Sequence, residues 1–252
     1  MTDTTHLARS QTAVPGAHLG AVLAVLGAVL LAAGTWLHPA HADPAVPSAA
    51  FAEYAAAGHV TWVAGHLLQF GGIAGMVLTV VLLSRTIAGA RESAWARVTT
   101  VAGAAGLATA ATLQAVDGVA LKAMVDLWSG ATEDRAALFS AALAVRQIEI
   151  GLDGLLALLL AVVFLGFGLA LLSAPTGTRN LAVLALATAG AAAVNGVVLC
   201  LGGFSDVAML ATTASGLLGI ATLLVAARWS WRRGTPRAGR PPTPVPGIPG
   251  TT

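Results

Sequence analysis

Arg146, Glu149 and Asp153 are the residues of this sequence best placed to do chemistry together, because they interrupt a long apolar run on one helical face. At about 100° per residue, positions i, i+3 and i+7 repeat the same side of a helix. An arginine and two carboxylates on such a stripe can bind a polar ligand, relay protons or pair with one another. In a membrane they must face protein or water rather than acyl chains. Asp117 and Lys122 end the preceding apolar segment, at a depth from which they can reach the stripe. In one reading the five charges form a structural clamp, since they sum to minus one and buried ions are normally paired. In the other they line a cavity for a small polar or amphiphilic molecule. The two readings are compatible, and together they make His66, Gln69, Asp117, Lys122, Arg146, Glu149 and Asp153 the expected ligand-binding residues.

His59, Trp62, His66 and Gln69 share a face at i, i+3, i+7 and i+10. His59 and His66 are the candidate metal ligands by residue type. Seven residues separate them, roughly 10 Å along a helix axis. They cannot hold one small ion, or clamp a haem from both sides, without a bend. A zinc site would require His66 to be joined by Asp153 or Glu149, with His38 or His41 as a further ligand. The sequence holds no HxxxH or HExxH pair, no GxSxG, no GxxxxGK[ST], no GxGxxG after a strand and no CxxC. No motif therefore demands an enzyme or a cofactor.

The elements that must position these residues are membrane helices. Hydrophobic residues make up 57% of the 252 positions and charged residues 10%, where a soluble domain carries about a quarter charged. Runs of about 20 apolar residues recur along the chain, enough to cross a bilayer. The single cysteine, Cys200, excludes an intrachain disulfide framework and a multi-thiolate metal site. A formal charge of +2 is too small to suggest nucleic-acid binding. With twelve arginines to one lysine and an excess of Ala, Gly and Val, the composition is the pattern of GC-rich bacterial coding.

The fold expected is an all-α bundle of six transmembrane helices over residues 18–230, between a disordered tail at 1–17 and a Pro/Arg-rich disordered tail at 231–252. The spans are read at His18–Leu37, Val60–Leu83, from Val98 to Lys122, Ala136–Leu172, Leu181–Leu201 and Val207–Ala227. Ala40-His41-Ala42 has the form of a signal-cleavage site, but the apolar run before it exceeds the usual 7–15 residues, so the first helix is expected to be retained. Ser48–Ala57 reads as a short surface helix, and Asp126 to Arg135 as a loop. Gly71 and Gly75 form a GxxxG pair, and Ala211, Ser215 and Gly219 a second small-residue seam. Such seams also suit a second copy or a membrane partner.

Arginine distribution sets the orientation. Ten of the basic residues fall on one side of the membrane and only Arg135 on the other, with Lys122 and Arg146 in or beside spans. Both termini are expected in the cytoplasm. Nearly every polar residue in a span then lies in the extracytoplasmic half. The layout resembles six-helix bacterial membrane families of unknown function, which share the six spans, an outer loop after the first helix and a Gly-rich second helix. Here those features are His38-Pro39 and Gly65-His66-Leu67-Leu68-Gln69-Phe70-Gly71-Gly72, and the likeness covers residues 18–230. It implies an integral membrane protein and no particular activity.

Three functions fit this sequence: an outer-leaflet binding or transport protein, a membrane-embedded metal-dependent hydrolase, and a helix-packing scaffold or accessory subunit. The first is the leading expectation, in the cell membrane and in contact with lipid. Reporter fusions at Ala88 and Gly177 should report a cytoplasmic position, and fusions at Ser48 and Gly130 an external one. A periplasmic-type signal at Ala88 would overturn the orientation.

Overall fold

The computed structural model describes residues 16–39, 41–87, 94–174 and 179–234, and all of their regular structure is helical. The helices are α1 (Ala17–Leu37), α2 (Pro47–Ala56), α3 (His59–Ile87), α4 (Ala94–Ala115), α5 (Lys122–Gly130), α6 (Arg135–Ser173), α7 (Arg179–Gly202) and α8 (Asp206–Gly234). A π-helical turn, Val116–Leu121, joins α4 to α5. These three run on as one 37-residue span, so six helices are long and apolar enough to cross a membrane. The expected six-span all-α bundle is therefore present.

Several boundaries differ from the sequence reading. Asp126 lies in α5, where a loop was expected, because the helix continues to Gly130. Residues 231–234 are helical, because α8 carries its Trp and Arg anchor residues on to Gly234. The rest of the expected C-terminal tail, most of the N-terminal one and Ala40 of the cleavage-like motif lie outside the described residues.

Each span packs on the next, and α8 returns to α1, so the six spans close a ring in chain order. Short connections favour such neighbour packing. The tightest approach is between α1 and α3. A Cβ at Gly72 would lie 2.5 Å from the Leu31 backbone nitrogen, and one at Gly75 would lie 2.7 Å from Gly27 Cα. Only hydrogen fits where two backbones meet this closely. The seam is thus Gly72 and Gly75, not Gly71 and Gly75, because Gly71 faces the Leu30 side chain. Hydroxyls join α7 to α8: Thr188 and Thr222 share a hydrogen bond of 2.8 Å, and Thr212 donates to Asn195 Oδ1 at 2.8 Å. The core has two main parts. One is aliphatic and aromatic, around Val80, Phe164, Phe167, Leu171 and Leu223. The other, at the opposite end of the bundle, gathers Phe51, Trp62, Leu121 and Val125.

That second core explains α2. Pro47 opens the helix, where its missing N–H costs nothing. Phe51 and Tyr54, at i and i+3, then bury one face against α3, α5 and α6. The expected surface helix is a cover over the end of the bundle. α6, at 39 residues, is roughly 58 Å long, far more than a bilayer core needs. Its first turns pack beside α2 and α5.

Gly72→Ala should lower the thermal midpoint in detergent by the equivalent of about 1–3 kcal/mol, since overpacking here pushes on backbone. Gly151→Ala, where nothing lies within 4 Å of the new methyl group, should leave the midpoint unchanged or raise it slightly. Equal midpoints for the two variants would contradict the seam.

Candidate functional site

The covered end of the bundle holds most of the polar residues singled out above. His66 of α3 is buried, at 3% exposure. Its Nδ1 lies 2.7 Å from the Trp62 carbonyl oxygen, so Nδ1–H donates there. Its Nε2 lies 2.9 Å from Oδ2 of Asp117, on the π turn. A π turn carries one residue more than an α turn and often marks a functional site. Here it brings Gly118 against His66; a Cβ at Gly118 would sit 3.0 Å from the imidazole stem. Any larger residue would move the turn, and Asp117 with it.

His38 follows the last residue of α1. Its Nδ1 lies 2.8 Å from the Pro39 carbonyl oxygen. Its ring meets those of His66 at 5.3 Å, Trp62 at 5.4 Å and Tyr54 at 6.0 Å between centroids. Burial pushes its imidazole below the ordinary value of 6.5, although Asp117 pulls upward. His38 is therefore neutral at pH 7. Burial likewise raises the Tyr54 phenol; Arg146 opposes this, while Glu149, Asp117 and Glu53 add to it.

Arg146 does not form the expected clamp. It is 2% exposed, yet among the described residues no carboxylate lies within ion-pair distance of it. One guanidinium nitrogen, Nη2, donates to the Pro44 carbonyl oxygen at 2.7 Å. The group stands over the rings of Phe204, Phe51 and Tyr54 at 5.2, 5.5 and 5.9 Å, a cation–π arrangement. The physical reason is α2 and the loop before it. They cover the start of α6 and offer ring faces and a carbonyl where the clamp would have needed a carboxylate. Gly203, in the left-handed region at φ 59°, turns the chain so that Phe204 follows it over the arginine.

Other expected residues are placed differently. Lys122 is buried but bonds to Asp126 on its own helix, Nζ to Oδ1 at 2.5 Å. It does not join the stripe, because its i+4 partner is nearer. Gln69 sets its stem against Gly34 in the α1 seam, and no hydrogen bond ties it to the histidines. His59 is exposed and plays no part in the cluster. Glu149 is buried and Asp153, a turn further on, is half-buried. The carboxylate that reaches His66 is Asp117 rather than either of these. Sequence reasoning missed Phe51, Tyr54 and Phe204, and only the i, i+3 spacing of the first two could have signalled an inward face.

Among the described residues, five buried polar atoms have no partner: the donors Trp62 Nε1 and Arg146 Nη1, and the acceptors Gln114 Oε1, Asp117 Oδ1 and Glu149 Oε2. Each such atom costs about 1–3 kcal/mol if left unpaired. Searches of protein-family models, of curated proteins and of solved structures give no match, so the functional reading rests on this geometry.

Glu53 ties down the loop that carries His38. It accepts from the backbone N–H groups of Ala42 at 2.8 Å and His41 at 3.0 Å, and it bonds the His41 ring at 3.0 Å. Burial alone would raise its carboxyl, but these bonds outweigh it and hold the group below its ordinary 4.5. A carboxyl depressed in the folded state stabilises above the unfolded value and loses that contribution as pH falls through the folded one. Acidification below about pH 4.5 should therefore lower the thermal midpoint, and Glu53→Gln should flatten that part of the curve. An unchanged pH profile in Glu53→Gln would contradict the assignment.

Proposed function

We propose that the chain is a multi-pass protein of the bacterial cell membrane, with both termini cytoplasmic, whose extracytoplasmic end binds a small molecule with an anionic head. The membrane placement rests on six apolar spans, and the orientation on the arginine bias. The observation that carries the binding role is the buried Arg146 guanidinium, without a carboxylate partner among the described residues and with Nη1 unsatisfied. A charge taken out of water needs compensation. Ring faces and one carbonyl supply part of it, and an anionic ligand supplies the rest through charge-assisted hydrogen bonds. The unpaired Trp62 Nε1–H offers a second donor at the same end. The opposite end is packed with Phe, Leu, Val and Ala, which supports binding at one face over an ion path through the bundle. An amphiphile suits the position, because its tail can lie along the apolar outer faces of the helices.

The test is ligand-dependent thermal stability in detergent, with short-chain phosphatidic acid, phosphatidylglycerol and oleate as probes and a neutral diacylglycerol as control. At least one anionic probe should raise the midpoint saturably, by the equivalent of about 2.7 kcal/mol at roughly 100 times Kd. Arg146→Gln should abolish the shift, and Arg146→Lys should keep only part of it, since lysine lacks the planar fork. No shift with any anionic probe, or a shift that survives Arg146→Gln, would overturn the reading.

A further inference from the structure

The histidines at this end have a chemistry that the anion reading does not use. His38, His66 and Asp117 each offer one ligand atom, and these atoms all lie within 4.8 Å of one another. The orientation of the two rings is the telling feature. Each imidazole places Nδ1 against a backbone carbonyl, that of Pro39 or Trp62. A carbonyl only accepts, so each Nδ1 carries a hydrogen; Nε2 is then the atom His38 has free for a metal, and His66 Nε2 shares one hydrogen with Asp117 that a metal ion would displace. Metal-bound histidines are commonly held this way, with the far ring N–H donating to a carbonyl or carboxylate that fixes tautomer and orientation. Asp117 adds an anionic oxygen 2.9 Å from His66 Nε2, and its other oxygen is buried without a partner.

We propose that His38, His66 and Asp117 form a binding site within the membrane domain for one divalent transition-metal ion of the zinc type. Two imidazoles and one carboxylate are ligands for zinc rather than for calcium or magnesium, which take mostly oxygen. Three protein ligands leave a fourth position for water or a bound molecule. With zinc bonds of about 2.0–2.2 Å, tetrahedral ligand atoms stand about 3.4 Å apart, between the 2.9 Å of the His66–Asp117 contact and the 4.8 Å that encloses all three atoms. The ligands come from a loop, a helix and a π turn far apart in sequence, which is why no spacing motif marks them.

The test uses the full chain, purified in detergent through a histidine-free tag and stripped of metal with a chelator. Zinc is titrated in competition with a chromophoric chelator, and bound metal is counted by mass spectrometry. One zinc per chain should bind, with proton release, because the hydrogen between His66 and Asp117 is displaced. Cobalt(II) in its place should give visible bands of a four- or five-coordinate nitrogen–oxygen site in the unmutated protein. His38→Ala, a loop change, should weaken zinc by more than the roughly 10–100-fold typical of losing an outer-shell partner. Asp117→Asn should do the same, whereas His59→Ala should bind as the parent does. Failure of the unmutated chain to take up zinc, or uptake that His38→Ala and Asp117→Asn leave unchanged, would overturn the site. Neither result bears on the Arg146 probe experiment, so the two proposals fail separately.

Discussion

A charge inside a low-dielectric bundle must be compensated, and the way Arg146 is compensated shapes one whole end of this protein. Its guanidinium is desolvated by α2, by the loop before α2 and by Phe204. Those groups give it aromatic faces and the Pro44 carbonyl, but no opposite charge. The carboxylates nearby are left with unpaired oxygens. Buried polar networks that are only partly satisfied are costly. On the reading proposed above, a bound ligand completes this one.

The remainder of the structure positions these side chains. The ring of spans closes where α1 and α8 meet, and the α1–α3 seam sets the spacing between His38, at the end of α1, and His66, on α3. Gly72 and Gly75 fix that spacing by letting backbones touch. The π turn then brings Asp117 to His66 without breaking the span. Glu53 anchors the intervening loop. Each device is local, yet all of them converge on the same few side chains.

The spans were legible in the sequence because length and continuous apolarity are sufficient signals. The polar residues of the site were legible as a set, since an ionisable residue in a span is uncommon. Their partners were not. Charge pairing alone suggested a clamp around Arg146, and nothing in the sequence announced that aromatic rings and a carbonyl would fill that space. Ser48–Ala57 read as a surface helix, although Phe51 and Tyr54 at helical spacing hinted at an inward face. Lys122 and Asp126 were an i, i+4 pair that a stricter reading of helix length would have found. The π turn, Val-Asp-Gly-Val-Ala-Leu over Val116–Leu121, left no trace in the apolar pattern. His38 lies 28 positions from His66, and only the fold brings the two together.

An experimental structure of the full chain in lipid nanodiscs, at a resolution that shows side chains, tests the central claim most directly. The Arg146 guanidinium should stand over Phe51, Tyr54 and Phe204, with no carboxylate within 4.0 Å, as holds among the described residues, and with non-protein density against Nη1. A two-pronged ion pair between Arg146 and Glu149 or Asp153, with nothing bound beside it, would contradict the account and restore the clamp.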